Sequence, residues 1–182
     1  MATLRYAALL RGINVGGHRR VPMAALRDVL TGLGHTAVVT HLQSGNAAFT
    51  AAAGGEREIT AALEDAIERR FGFRVDCLVR DGEYLRAVAE ACPFDADGLA
   101  PKQLHITYFS APVTPERFAA VDPAAFAPEE FRLGDRALYL HTPDGMGRSR
   151  LADVLARPAL LTGLVATSRN WNTVRKLVEL TR

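Results

Sequence analysis

Two segments of the chain are apolar on both faces when read as strands. Extended backbone sends successive side chains to opposite faces. Residues 4–10 then place Leu4, Tyr6, Ala8 and Leu10 on one face and Ala7 and Leu9 on the other. Residues 103–109 place Leu104, Ile106 and Tyr108 against His105, Thr107 and Phe109. A half-exposed antiparallel strand alternates apolar with polar instead. Both strands are therefore expected inside sheets covered on both sides. Helices would cover one side, and the other half of the chain or a second copy (a homodimer) the other.

The flanking segments suggest what those sheets are. After strand 4–10, three glycines within Arg11–Gly17 mark a loop. Pro22 suits a first helical turn, Leu26, Leu30 and Leu33 share a helical face, and Gly34 suits a left-handed end. Val38–Leu42 and Ala47–Thr50 flank the turn Ser44-Gly45-Asn46 as a hairpin. Ile59, Leu63, Ile67 and Phe71 recur every four residues through Glu56–Phe71, the clearest helix in the chain. Phe73–Val79 closes a β-α-β-β-α-β order, the ferredoxin-like arrangement.

The second half repeats the pattern without sequence identity. Asp81 can cap a helix carrying Leu85, Val88 and Cys92, and Pro93–Pro101 reads as a linker. Strand 103–109 follows, then a helix start at Thr114-Pro115-Glu116. A hairpin spans Phe131–Leu133 and Ala137–His141, a helix runs from Ser149 to Arg157, and Leu164–Thr167 forms a last strand. Asn170 caps a terminal helix with Trp171, Val174, Leu177 and Val178 on one face, Trp171 as its buried anchor. The expected class is α+β: two ferredoxin-like βαββαβ halves with antiparallel sheets and helices on one face of each. The expected divisions are 1–80, a helix and linker over 81–102, and 103–182.

Composition excludes several function classes. Apolar residues are 48% and charged residues 23% of the 182 positions, which rules against disorder and coiled coil. The run Tyr6–Leu10 between Arg5 and Arg11 is too short for a bilayer span or a secretory core. Cys77 and Cys92 have no metal or redox spacing and read as reduced thiols, so the expected compartment is the cytoplasm. Net charge is only +2, with 11 basic and 10 acidic residues in each of 1–92 and 93–182. A strongly basic chain is thereby excluded. The five histidines lack helical metal spacing, so no metal site or cofactor is expected.

Three motifs carry the candidate chemistry. In Arg11–Gly17, the glycines let backbone N–H groups converge on an anion, with Arg11, Asn14, Gly16 and Gly17 as contacts and His18, Arg19 and Arg20 adding charge. No Gly-Lys-Ser/Thr follows, so this is not a Walker loop. A tight strand-to-helix connection explains the same glycines. In Ser44-Gly45-Asn46, hairpin-turn chemistry accounts for the residues, although Ser44 and Asn46 also offer ligand contacts. In Arg169–Thr173, Asn170 and Trp171 serve the helix, leaving Arg169 and Asn172 for an outer face that meets phosphates or water.

Tyr6–Gly17, then Leu42–Asn46 with Phe49, then Thr167–Thr173 before Lys176-Leu177 together resemble a bacterial family catalogued as domain of unknown function 1697. The resemblance implies a compact cytoplasmic protein with ferredoxin-like halves, and it implies no activity. The sequence departs from the family at His18, where Asn is common, and at Ala47 and Ala48, where an aliphatic pair is common.

Three functional classes follow. One is a binding module for an anionic ligand, a phosphate-bearing small molecule or a nucleic acid. A second is an enzyme acting on a small phosphorylated or acidic metabolite in a cleft between the halves, its general base missing unless His41 or His105 supplies one. A dimerising interaction protein is the third reading. The first reading places all three motifs at one site, with Arg11 and Arg169 as an anion clamp.

Overall fold

A computed structural model of the chain describes residues 2–53 and 55–182. It is an α+β protein with two four-stranded antiparallel sheets and, among the described residues, five α-helices. The chain divides into two compact units, 1–86 with 176–182, and 87–175.

The first unit holds β1 (Thr3–Leu10), α1 (Met23–Gly32), β2 (Thr36–His41), β3 (Asn46–Ala52), α2 (Glu56–Phe71) and β4 (Cys77–Asp81). α3 (Gly82–Glu90) begins in this unit. The strand order is β2-β3-β1-β4, so β1 is hydrogen-bonded on both edges. Tyr6, Ala8 and Leu10 of β1, with Ala47, Phe49 and Val79, pack under Leu26 and Leu30 of α1 and Ile59, Leu63 and Ile67 of α2. The opposite face of β1, Ala7 and Leu9, is buried as well. β4 starts four residues later than the sequence suggests, because 73–76 serve as the connection from α2.

The second unit holds β5 (Leu104–Phe109), β6 (Glu130–Gly134), β7 (Ala137–His141), α4 (Arg150–Leu155) and β8 (Ala166–Asn170). α5 (Trp171–Leu180) begins here and ends in the first unit. The order β6-β7-β5-β8 matches that of the first sheet strand for strand. The registers correspond too. Tyr6 lies opposite Asp81 and His105 opposite Asn170. Asp81 Oδ1 accepts the N–H of Tyr84, and Asn170 Oδ1 that of Thr173. Each residue ends its strand and caps the helix that follows.

Four expectations are corrected in this half. The helix expected from Thr114 is two 3₁₀ turns, Pro115–Phe118 and Pro123–Phe126, because Pro123 and Pro128 interrupt any longer helix. The helix after Ser149 stops at Leu155 rather than Arg157. The last strand is Ala166–Asn170 rather than Leu164–Thr167, which moves Arg169 from a helix start into a sheet. Trp171 is half-buried, whereas Val174 and Leu177 of the same helix are fully buried.

One contact ties the ends of the first unit together. Arg5 of β1 donates from Nε and Nη2 to the carbonyl of Leu180 at 3.2 and 2.7 Å, capping α5. Its Nη1 donates to Ala37 O at 3.0 Å and Thr50 Oγ1 at 3.2 Å. Beside it, Gly82 lies so close to Thr181 that a Cβ would run into the Thr181 carbonyl oxygen. Gly82→Ala is expected to cost about 1–3 kcal/mol by overpacking, read as a lower urea midpoint with unchanged slope.

Two histidines are desolvated. His35 stacks on Phe49 with ring centroids 4.6 Å apart, and burial lowers its pKa. Burial lowers that of His105 as well. Below pH 6.5 the unfolded chain takes up protons that these folded rings resist, so stability present at pH 7 is lost as pH falls. The melting temperature is expected to drop between pH 7 and pH 5. The double variant His35→Gln, His105→Gln is expected to flatten that drop.

Candidate functional site

Two of the three sequence motifs meet at one end of the first sheet. β1 runs toward Leu10 and β3 starts at Asn46, with Leu9 opposite Asn46. The loop after β1 and the β2–β3 turn therefore share an end. Their junction is tight: Leu10 N donates to Gly45 O at 2.8 Å. A Cβ on Gly45, whose φ is +88°, would sit 2.7 Å from Leu10 Cβ and 2.8 Å from Ile13 Cδ1. Glycine is required there by backbone conformation and by close approach together.

The loop itself is a small, rigid hairpin. Val15 and His18 form an antiparallel bridge around Gly16 and Gly17, at φ +60° and +78°. Two consecutive positive φ values are those of a type I′ turn. Asn14 N donates to Arg19 O at 3.1 Å. The Asn14 side chain fixes the base of this hairpin. Its Nδ2 donates to Val21 O at 3.0 Å and to Gln43 O at 2.7 Å, and its Oδ1 accepts from Val21 N at 2.8 Å. The amide thus joins the loop, the start of α1 and the β2–β3 turn. Ile13 is buried beneath it, while residues 15–20 are all exposed.

The remaining predicted contacts divide by environment. Asn46 is buried, its Nδ2 donating to His41 O and to Ser44 Oγ, both at 3.0 Å, so these two residues build the turn. Ser44 is exposed. Arg11 is half-exposed and pairs with Asp76 at 3.4 Å. Arg169 lies in the second unit and is buried, contrary to the expected outer face. Its Nη1 donates to Thr167 Oγ1 at 2.6 Å and to Ser168 O at 2.9 Å. Burial pushes its pKa down to about 10, with Tyr108 opposing that shift. Asn172 is exposed on the first turn of α5.

Sequence reasoning missed what else arrives at the motif-bearing end. β3 finishes at the opposite end, so α2 runs back along the sheet. Its last turn and residues 72–76 reach the end where β1 stops, and Arg11 N donates to Asp76 O at 2.9 Å. Residues 11–22, 42–45 and 68–76 together carry Arg11, Arg19, Arg20, Arg69, Arg70 and Arg74 with His18. The carboxylates at this end are Glu68 and Asp76, each paired with one of the arginines, and Glu64, whose Oε1 accepts the N–H of Cys77 opposite Leu10 at 2.8 Å. The opposite end has Glu56, Glu58, Asp81 and Glu83 together with Arg57 and the buried Arg80, which pairs with Glu56 at 3.5 Å. The α2 macrodipole accounts for Glu56 and Glu58 at its start and Arg69 and Arg70 at its finish. It does not account for Arg11, Arg19 or Arg20.

Asn14→Ala removes three hydrogen bonds and strands the N–H of Val21. A loss of about 2–4 kcal/mol is expected in urea unfolding, at roughly 1 kcal/mol per bond plus the orphaned donor. Asn14→Asp keeps a residue suited to the observed φ of +55° and the bond from Val21 N, and should lose less.

The chain is similar over its whole length to a solved structure, the conserved bacterial protein SP0830 from Streptococcus pneumoniae. The two are 23% identical with a TM-score of 0.77, covering 100% of each chain, which shows a shared fold. No curated protein matches. Residues 4–139 match the family described as Protein of unknown function (DUF1697). That stretch contains the first two motifs and stops short of Thr167–Thr173. With three quarters of its residues inside the match, the chain belongs to the DUF1697 family.

Proposed function

We propose that the protein is a binding module for a phosphate-bearing anion, and that it binds at the basic end of the first unit. The observation that carries this reading is the gathering of positive charge on a near-neutral chain: six arginines and His18 lie where β1 stops, against the three carboxylates of Glu64, Glu68 and Asp76. Arg19 and Arg20 are exposed, and neither makes a side-chain hydrogen bond or ion pair with another described residue. Cations held apart from protein carboxylates on a pre-shaped loop are free to take a bidentate phosphate. The exposed glycine turn adds backbone N–H groups to the same surface. In this reading Arg11 and Gly16-Gly17 are contacts, Asn14 and Asn46 hold the loops in shape, and Ser44 lies at the rim. Arg169 and Asn172 belong to the other unit and are not needed.

The element order and strand order of each unit support a ferredoxin-like description, with the helix between β5 and β6 replaced by 3₁₀ turns. The two free thiols, Cys77 and Cys92, support a reducing, cytoplasmic setting.

Calorimetric titration with inorganic pyrophosphate at low ionic strength tests the site. Binding is expected, and Arg19→Asn with Arg20→Ala together should abolish it while leaving the melting temperature unchanged. Asn is chosen at position 19 because the backbone there has φ +50°. Absence of pyrophosphate binding, or binding indifferent to the double variant, would contradict the reading.

A further inference from the structure

We infer that the natural ligand is a nucleic-acid duplex, with the 14–19 hairpin entering its wide groove. The inference rests on the anion-binding reading above and names its ligand. Its ground is the shape of the basic surface. Small-molecule sites are concave and enclose most of their ligand. Residues 15–20 are instead exposed without interruption, at the tip of a projecting two-residue turn. Such a tip encloses nothing and must itself be received by a larger partner.

The dimensions and chemistry of the tip fit a groove. Paired strands lie about 5 Å apart, and a two-stranded ribbon enters the roughly 12 Å major groove of B-form DNA. The minor groove of A-form RNA is wide and shallow and offers similar access. Val15 is 69% exposed at the leading edge of the hairpin. An aliphatic group there can lie on base edges or on a thymine methyl. Arg19 and Arg20 follow on the returning arm, where the flanking phosphates would lie. Arg69, Arg70 and Arg74 extend the positive surface away from the tip. Single strands are bound largely by stacking of bases on aromatic side chains. The tip, residues 13–20, contains no aromatic ring but His18, so a duplex is the better fit.

Rigidity supports the same assignment. Asn14 and Gly45 fix the hairpin before any ligand arrives, so little ordering cost opposes binding.

Fluorescence anisotropy of the full chain with labelled 16-base-pair DNA and RNA duplexes, across a salt series, provides the test. Inorganic polyphosphate, a single strand of the same sequence and vesicles rich in anionic lipid serve as comparators. A duplex is expected to bind more tightly than the single strand and the polyphosphate. The two duplex arms show whether DNA or RNA is preferred. Arg19→Asn with Arg20→Ala should weaken duplex binding about tenfold or more and reduce the slope of log K against log salt by about 1.8, roughly 0.9 per phosphate contact. Val15→Ser should weaken duplex binding several-fold and leave that slope unchanged, which a purely electrostatic surface would not show. Polyphosphate or pyrophosphate binding without duplex preference overturns this inference and leaves the anion-binding reading standing. Preference for the single strand or for vesicles also overturns it. Binding of none of these probes overturns both.

Discussion

The amide of Asn14 is the interaction on which the basic end of the first unit depends. Three hydrogen bonds leave one side chain, two of them to the backbone of Val21 and one to the carbonyl of Gln43. The strand-to-helix loop and the hairpin turn are both glycine-bearing segments with high intrinsic freedom. Joined through Asn14, and locked by the contact of Gly45 with Leu10 and Ile13, they become one rigid surface. The arginines do not build this surface; they are displayed on it. Local conformation, packing and charge are thus separable here, and different residues carry each.

The two units show how one strand pattern carries different surfaces. In the first, a 16-residue helix covers the face of β1 that carries Tyr6 and Ala8. In the second, the corresponding helix has 6 residues, and the matching positions hold His105 and Thr107. Thr107 and Ser168 face each other with hydroxyls 2.6 Å apart. Leu138 and Leu140 of β7, opposite Thr107 and His105, belong to one core cluster with Leu151 and Leu155 of α4 and the aromatic rings of Phe109, Phe118 and Phe131.

Much of the architecture was legible because periodicity reports burial directly. Ile59, Leu63 and Ile67 mark one helix face, and all three are in the core. The doubly apolar strands are the central strands of their sheets. Failures came where local signals competed. Thr114-Pro115-Glu116 has every mark of a helix start, but two later prolines decide how far a helix can run. Arg169 read as a surface cation because charge is usually solvated, and the strand at Ala166–Asn170 buries it instead. The site was less legible than the fold. Counting charge along the chain gives balanced halves, whereas folding gathers arginines from separate segments at one end of the first sheet. Arg69, Arg70 and Arg74 are some fifty residues from the glycine loop and carry no motif, so only the path of α2 reveals that they join it.

The grip of Arg5 on Leu180 has a consequence for the order in which the protein can be made. The first unit consists of residues 1–86 and 176–182. A ribosome that has released the first 86 residues has supplied four strands and the helices that cover them, but not the carbonyl that Arg5 caps or the threonine against which Gly82 packs. At about 5–20 residues per second, the missing segment follows on the order of ten seconds later. At the end of that interval the second unit has all of its own residues and the first still lacks 176–182. Although its sequence begins first, the first unit is the one completed last.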